Sequence, residues 1–314
     1  MILVTGAAGN MAGFTARHLL GTGHAVRLMV HHVQPAPDLG ADPQAEVCRA
    51  DLGDPLTLPG ACRDVRAVIH FAGRLFAPNP KGFLWLTNVV YVQNLVQACI
   101  DAGVERLVLV SFPHVEGPTT PEAPATGRVD QVPISVHART RLEAERVILE
   151  AAGRGGPQPV ILRTGTVYGM GVKMFEAARW LMARRLMAVW RKPTWFHFIH
   201  IDDFVRGAEA ALVRPELAAI YPLGDDAPMT LQDFLDRLAD HWGYARPWRL
   251  PDPAFYVAGW MMEGLAALAR VPSPLTGDFI RIGHVPHAMD TRRMKSELLP
   301  DLLYPTVEAG LSTL

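Results

Sequence analysis

Short, almost continuous apolar runs alternate along the chain with longer stretches whose apolar residues recur every three to four positions. The runs at 2–5, 25–30, 45–50, 67–71, 107–111 and 160–163 predict strands, and the stretches at 11–20, 83–102 and 138–151 predict helices. Strands that are apolar on both faces belong to a parallel sheet covered on both sides. With right-handed crossovers, the alternation predicts the α/β class, a doubly wound parallel sheet. After Thr164 the pattern changes. Stretches 175–191 and 253–271, rich in Met, Trp and Leu, predict helices. Between them lie a strand at 219–223 and a helix with Thr230 as N-cap, Asp233 in its first turn, and Phe234, Leu235 and Leu238 as its stripe. Five prolines between Pro113 and Pro133 predict an exposed loop.

A chain of 314 residues, 49% hydrophobic and 19% charged, buries a large core, which excludes disorder. The net charge of −1 argues against a nucleic-acid partner. Three cysteines (Cys48, Cys62 and Cys99) fit neither a zinc pattern nor a disulfide framework, so no metal and a reduced, cytoplasmic setting are expected. No apolar run approaches the ~18 residues of a span, and neither a signal sequence nor a membrane partner is expected.

The first strand runs into Gly6-Ala7-Ala8-Gly9-Asn10-Met11-Ala12-Gly13 and then a helix. A tight turn at Gly6, close backbone approach at Gly9 and free N–H groups at the helix start suit a pyrophosphate. With Thr5-Gly6-Ala7-Ala8-Gly9, further segments follow in order: Asp51-Leu52, His70-Phe71-Ala72-Gly73, Asn88, Ile161-Leu162-Arg163-Thr164-Gly165-Thr166-Val167-Tyr168-Gly169, and Phe198-Ile199-His200-Ile201-Asp202-Asp203. Together they resemble the extended short-chain dehydrogenases/reductases, with their epimerases and dehydratases. The resemblance implies a Rossmann domain of residues 1–165 plus 198–225 and a smaller, mostly helical substrate-binding part of 166–197 and 226–314. It implies cofactor contacts at Gly6, Ala8, Gly9, Asn10, Met11, Asp51, Leu52, Phe71, Ala72, Gly73, Asn88, Val110, Ser111, Arg141, Thr164, Thr166 and Val167. The second strand ends at His31 and His32 rather than a carboxylate, with Arg27 nearby in sequence. NADP is therefore expected ahead of NAD, with His31 at the ribose.

The family's catalytic Ser, Tyr and Lys are all replaced. Aligned on Leu142-Glu143-Ala144-Glu145-Arg146, the Tyr position holds His137 and the Lys position Arg141; the Ser position is Phe112, with Ser111 one residue early. At i, i+4, His137 and Arg141 share a helical face. The guanidinium favours neutral imidazole, which suits a base better than an acid. His114 and Glu116 follow the fifth strand, at the sheet edge where such folds bind ligands. Tyr168 and Lys173 follow the sixth strand, and His197 and His200 flank the later signature; Tyr168, His70 and His200 read as packing residues.

Phe76, Phe83, Trp85, Trp180, Met182, Met187, Trp190, Trp195, Phe196 and Phe198 give the substrate side an apolar character, more of it core than pocket. The basic residues there are Arg179, Arg184, Arg185 and Arg191. A bulky, mostly apolar small molecule is expected rather than a sugar nucleotide. Apolar positions Val89, Val92, Val96, Ile100, Leu142, Val147 and Ile148 lie on the helices that the family pairs across a two-fold axis, so the resemblance implies a homodimer. Two readings stay open. One is an enzyme with reassigned acid/base groups (His137 and Arg141, with Ser111 and His114) working by isomerisation, elimination or oxidoreduction at a carbonyl or hydroxyl carbon. The other is a non-catalytic cofactor-binding sensor or scaffold.

Overall fold

The computed structural model describes residues 1–73, 80–269, 273 and 276–314. Thirteen strands are described. They are β1 (Ile2–Thr5), β2 (Val26–Val30), β3 (Ala45–Arg49), β4 (Ala67–His70), β5 (Arg106–Ser111), β6 (Gln158–Thr164), β7 (Thr166–Tyr168), β8 (Ala188–Trp190), β9 (Trp195–Phe196), β10 (Phe198–His200), β11 (Ala219–Leu223), β12 (Met229–Thr230) and β13 (Trp248–Leu250). The helices are α1 (Asn10–Gly21), α2 (Pro37–Gly40), α3 (Leu58–Cys62), α4 (Pro80–Trp85), α5 (Tyr91–Asp101), α6 (Val136–Ala152), α7 (Lys173–Ala183), α8 (Ile201–Val213), α9 (Leu231–His241), α10 (Asp252–Ala269), α11 (Gly277–Gly283) and α12 (Val307–Leu311).

Seven strands form one sheet in the order β3-β2-β1-β4-β5-β6-β11, with every pairing parallel. Residues 1–5 and 67–70 are the hinge of this order. From β1 the chain winds outward to β3, then crosses back to β4 on the other side of β1. The carboxyl ends of β1 and β4 therefore splay apart in a crevice at the switch point. Two cores cover the sheet: α1, α8 and the C-terminal elements pack on one face, α3, α5 and α6 on the other. Val4, Leu28 and Ile69 serve the first core and Leu3, Met29 and Val68 the second, as alternation along buried strands requires.

Several expectations are revised. The predicted helix at 175–191 ends at Ala183, and residues 188–190 pair with β13 instead. The proline-rich segment is only partly exposed: Pro113, Val115, Thr119 and Ala125 are buried, and Ala125 pairs with Met289. Gly82–Asp101 is in fact long and apolar enough to cross a membrane, but half of its most apolar window is buried, with Val92, Leu95 and Val96 in the second core. A turn of π-helix, Leu86–Val90, joins α4 to α5 within it. Val89, Val92, Val96, Leu142 and Ile148, named above for a dimer, are buried within the chain itself. Trp190, Phe196 and Phe198 are core, Trp85 and Trp180 are exposed, and Phe76 lies outside the described residues.

Candidate functional site

The crevice is built at the ends of β1 and β4. Gly6 has φ +67°, and a Cβ there would stand 3.2 Å from the Ala72 backbone. Only glycine lets the two loops approach so closely. Gly9 is the N-cap of α1, which carries no side-chain cap and no acid in its first turn. Its first N–H groups are thus open to an anion. Ala8 and Gly9 are exposed at this point. The Asn10 side chain departs from expectation: it donates to the Gly171 carbonyl (3.0 Å) and accepts from the Lys173 N–H (2.9 Å), tying α1 to the start of α7. Met11 is partly buried against the first core.

At the outer end of the crevice, His31 Nε2 lies 3.3 Å from Asp51 Oδ2, and both side chains remain substantially exposed. Leu52 is buried beneath them, its carbonyl held by Asn94 at 2.8 Å. Arg27 is not part of this edge. It sits near the amino end of β2, where its guanidinium bonds the Ala61 and Arg63 carbonyls and Glu46. One of the three basic residues behind the NADP expectation is therefore engaged elsewhere.

The inner end is polar and buried. The Thr5 hydroxyl lies 2.9 Å from His70 Nδ1 and accepts, at 3.4 Å, from the Ala72 N–H. Burial, aided by nearby Arg141, pushes the His70 pKa down to about 3, so this ring is neutral. Asn88, placed by the π-helical turn, donates to Thr140 Oγ1 (3.0 Å), and that hydroxyl bonds the His137 carbonyl (3.1 Å). Asn88 Oδ1 and Arg141 Nε and Nη1 are buried with no hydrogen-bond partner among the described residues. Burial drives the Arg141 pKa down to about 10, against the pull of Glu145. A Cβ on Gly73 would come within 3.1 Å of Arg141 Nη2 and 3.4 Å of Asn88 Oδ1, so these groups converge on one point. Buried donors and acceptors without partners are costly and mark a place for a polar ligand. A glycine-lined anion cradle at one end and this set at the other fit a dinucleotide laid across the crevice. Phe71, Val110, Thr166 and Val167 are partly buried, and Thr164 is buried at the end of β6.

His137 is buried on the first turn of α6, with its ring 5.0 Å from that of Phe112. Phe112 in turn lies 5.1 Å from His114, and His114 4.5 Å from His287. His114 is neutral: burial lowers its pKa to about 4, against the Ile282 backbone carbonyl. His114, Ile134, Ser135, Arg281, Ile282 and Val285 border a narrow cleft.

Other candidates belong to the scaffold. Ser111 donates to Glu145 Oε1 at 2.5 Å, away from the crevice. Glu145 is fully buried and grips Arg163, whose other arm reaches Glu116 at 2.5 Å. Glu116 also accepts from the Gly127 N–H at 2.7 Å. Ser111 and Glu116 are thus parts of a buried ion network. Tyr168 is buried among His200 and Phe234, its hydroxyl raised far above the ordinary range by burial. Lys173 starts α7 on the surface, held through its backbone to Asn10. His197 bonds the Asp225 carbonyl and accepts from the Met289 N–H, and His200 caps α8. Asp203 of the later signature accepts from the N–H groups of Leu303 and Tyr304, both at 2.8 Å, anchoring the C-terminal segment. Thr5 and Thr140, which bond His70 and Asn88, are not among the site residues expected from the sequence. Thr140 was findable, one residue before Arg141 and three after His137 on the same helix.

The fold and crevice define a dinucleotide-binding α/β protein of the doubly wound type. A family model for the NAD-dependent epimerase/dehydratase family matches residues 2–224, and the chain belongs to that family. It is 25% identical over 303 residues to 3beta-hydroxysteroid-dehydrogenase/decarboxylase isoform 2 of Arabidopsis thaliana, covering 85% of this chain and 52% of that protein. It is 26% identical over 278 residues to the ceramide reductase of Caulobacter vibrioides, covering 87% of this chain and 80% of the relative. The chain spans 52% and 66% of the lengths of the two Arabidopsis isoforms it matches. Among solved structures, MoeE5 in complex with UDP-glucose and NAD superposes with a TM-score of 0.77 at 25% identity, covering 99% of this chain and 96% of that one.

Proposed function

We propose that the chain is an NAD-dependent enzyme acting at a carbonyl or hydroxyl carbon of a bulky, mostly apolar substrate. The observation that carries this reading is the convergence of Gly73, Asn88 Oδ1 and the Arg141 guanidinium at the inner end of the crevice. Bound across the crevice, the dinucleotide supplies a hydride donor or acceptor. Arg141 and Asn88 hold its ribose end, and the open N-terminus of α1 takes the pyrophosphate. NAD is favoured because the exposed Asp51 carboxylate, 3.3 Å from His31, would repel a 2′-phosphate set beside that histidine. His137 is the acid/base group: it occupies the helix turn preceding Arg141 and borders the Phe112–His114 wall. That wall has no hydroxyl to orient a substrate oxygen, so the site favours proton abstraction, as in isomerisation or elimination, over ketone reduction. The substrate enters beside residues 134–138 and α11, and residues 166–197 and 226–314 form its binding part. The relatives named for a hydroxysteroid and a ceramide support an apolar substrate class.

Calorimetric titration with NADH and NADPH tests the first half of this reading. Binding of NADH ahead of NADPH is expected; no heat with either at millimolar cofactor refutes it. A panel of sterol-like and long-chain alcohols and ketones, followed for product by mass spectrometry, tests the second half. Complete inertness of the cofactor-loaded protein across the panel would favour a sensor.

A further inference from the structure

We propose that the outward face of α10 docks the protein on the surface of an anionic lipid bilayer. The inference goes beyond the reading above and does not depend on it.

With 18 residues, α10 is about 27 Å long, yet only Gly259 and Ala266 in it are buried. These two small residues lie seven positions apart, on the side that meets α11; a Cβ on Gly259 would stand 2.6 Å from Ile280 Cδ1. The two acids of the helix also turn to α11. Asp252 lies 3.7 Å from His284, and Glu263 accepts from the Gly277 N–H at 3.2 Å. The remaining surface carries no charge and presents Tyr256, Val257, Trp260, Met261, Leu265 and Leu268 to solvent. Trp260 is 75% exposed, Leu265 60% and Leu268 84%. A contiguous apolar face on this scale marks an interaction surface.

The rim identifies the occupant. Leading into the helix, β13 carries exposed Trp248, whose indole N–H donates to the Arg185 carbonyl at 3.0 Å. Arg184 stacks over exposed Trp180 at 4.0 Å. The Arg191 N–H bonds the Leu250 carbonyl at 3.0 Å, which sets Arg191 and Lys192 beside the start of α10. Arg184, Arg185, Arg191 and Lys192 are exposed and form no ion pair among the described residues. On the flanking α11, Arg281 is likewise exposed, with half-buried Asp278 beside it. A chain of net charge −1 thus gathers exposed cations and tryptophans at the amino end of this apolar face. An uncharged helix face edged by Trp and Arg matches the interface of an anionic bilayer, where apolar side chains enter the acyl boundary and the cations meet headgroups.

The test is co-sedimentation of the full chain with vesicles of equimolar phosphatidylglycerol and phosphatidylcholine, and with phosphatidylcholine alone. Binding to the anionic vesicles that weakens as salt rises is expected. The double variant Leu265→Glu, Leu268→Glu should partition at least ~10-fold less. The double variant Arg184→Glu, Arg185→Glu should lose the preference for anionic lipid. Unchanged thermal unfolding and NADH binding in both variants show that folding and the crevice are intact. Absence of wild-type binding at low salt overturns the proposal, as does undiminished binding by the Leu265/Leu268 variant. A wild-type dimer that the Leu265/Leu268 variant converts to monomer, without vesicle binding, also overturns it and assigns the face to a second copy of the chain.

Discussion

Acidification from pH 7 to pH 5 should destabilise the protein through its buried neutral histidines. Burial holds His70 at about 3 and His114 and His197 at about 4, against an ordinary 6.5. As pH falls through 6.5 the unfolded chain takes up these protons, and the folded chain does not until about pH 4. The stability is therefore complete above 6.5 and is lost on the way down. At pH 5 each histidine costs roughly 2 kcal/mol relative to pH 7, or roughly 6 kcal/mol for the three. Asp225 works in the opposite sense. Burial raises its carboxyl from 3.8 to about 8, so its stabilisation is greatest at low pH and is lost as pH rises through 8. Between pH 7 and pH 5 it returns roughly 3 kcal/mol, leaving a net loss of roughly 3 kcal/mol, a large part of a typical folding free energy. His287, also held well below its ordinary value by burial, adds to the loss. Urea unfolding followed by tryptophan fluorescence at pH 7, 6 and 5 measures it. Asp225→Asn should be the more stable protein at pH 8 and show the steeper acid loss, roughly 6 kcal/mol. A midpoint that is flat or rises from pH 7 to pH 5 would refute the assignment of these histidines as buried and neutral.

Gly9→Asp should abolish dinucleotide binding in a calorimetric titration, because a carboxylate would stand at the open end of α1, while thermal stability changes little. His137→Ala should lower turnover by about 10²–10⁴-fold and leave NADH affinity nearly intact, whereas Arg141→Ala should weaken affinity; the reverse split would move the chemistry to His114. Glu145→Ala leaves the buried Arg163 guanidinium with Glu116 as its one paired carboxylate, beside the Arg128 carbonyl, and should cost about 3–5 kcal/mol in urea unfolding.

The inner strands of the seven-stranded sheet are legible in the sequence because they are buried on both faces, and a run such as Ile2–Val4 or Leu107–Val110 has no polar interruption; edge strand β3 is partly exposed and carries Glu46 and Arg49. The glycine loop is equally legible, since the turn at Gly6 dictates its residue type. The destination of side chains is less so. Ser111 reads as a catalyst by its neighbourhood in sequence, yet its hydroxyl is taken by Glu145, 34 positions away. Arg27 reads as a phosphate ligand by proximity to His31, but three residues of strand carry it about 10 Å from the crevice edge. The short pairings of β7 to β10, β9 to β12 and β8 to β13 have too few residues each to show a period. Helix α10 misleads for a different reason. A helix with only two charged residues ordinarily belongs in a core, and nothing in its own sequence says that only Gly259 and Ala266 are buried.

The π-helical turn at Leu86–Val90 makes this stretch sensitive to length in a way the surrounding loops are not. In a regular α-helix, residues four apart drift by about 40° around the axis. The wider turn absorbs that drift, so Leu84, Asn88 and Val92 all face the protein interior. A residue added to or removed from the regular helix on either side has no wide turn to absorb it and would swing everything beyond it by about 100°. Either Asn88 would leave Thr140 and the crevice, or Val92 and Val96 would leave the core. Substitutions in this helix can be absorbed one side chain at a time; an insertion or deletion in it sets cofactor site against core.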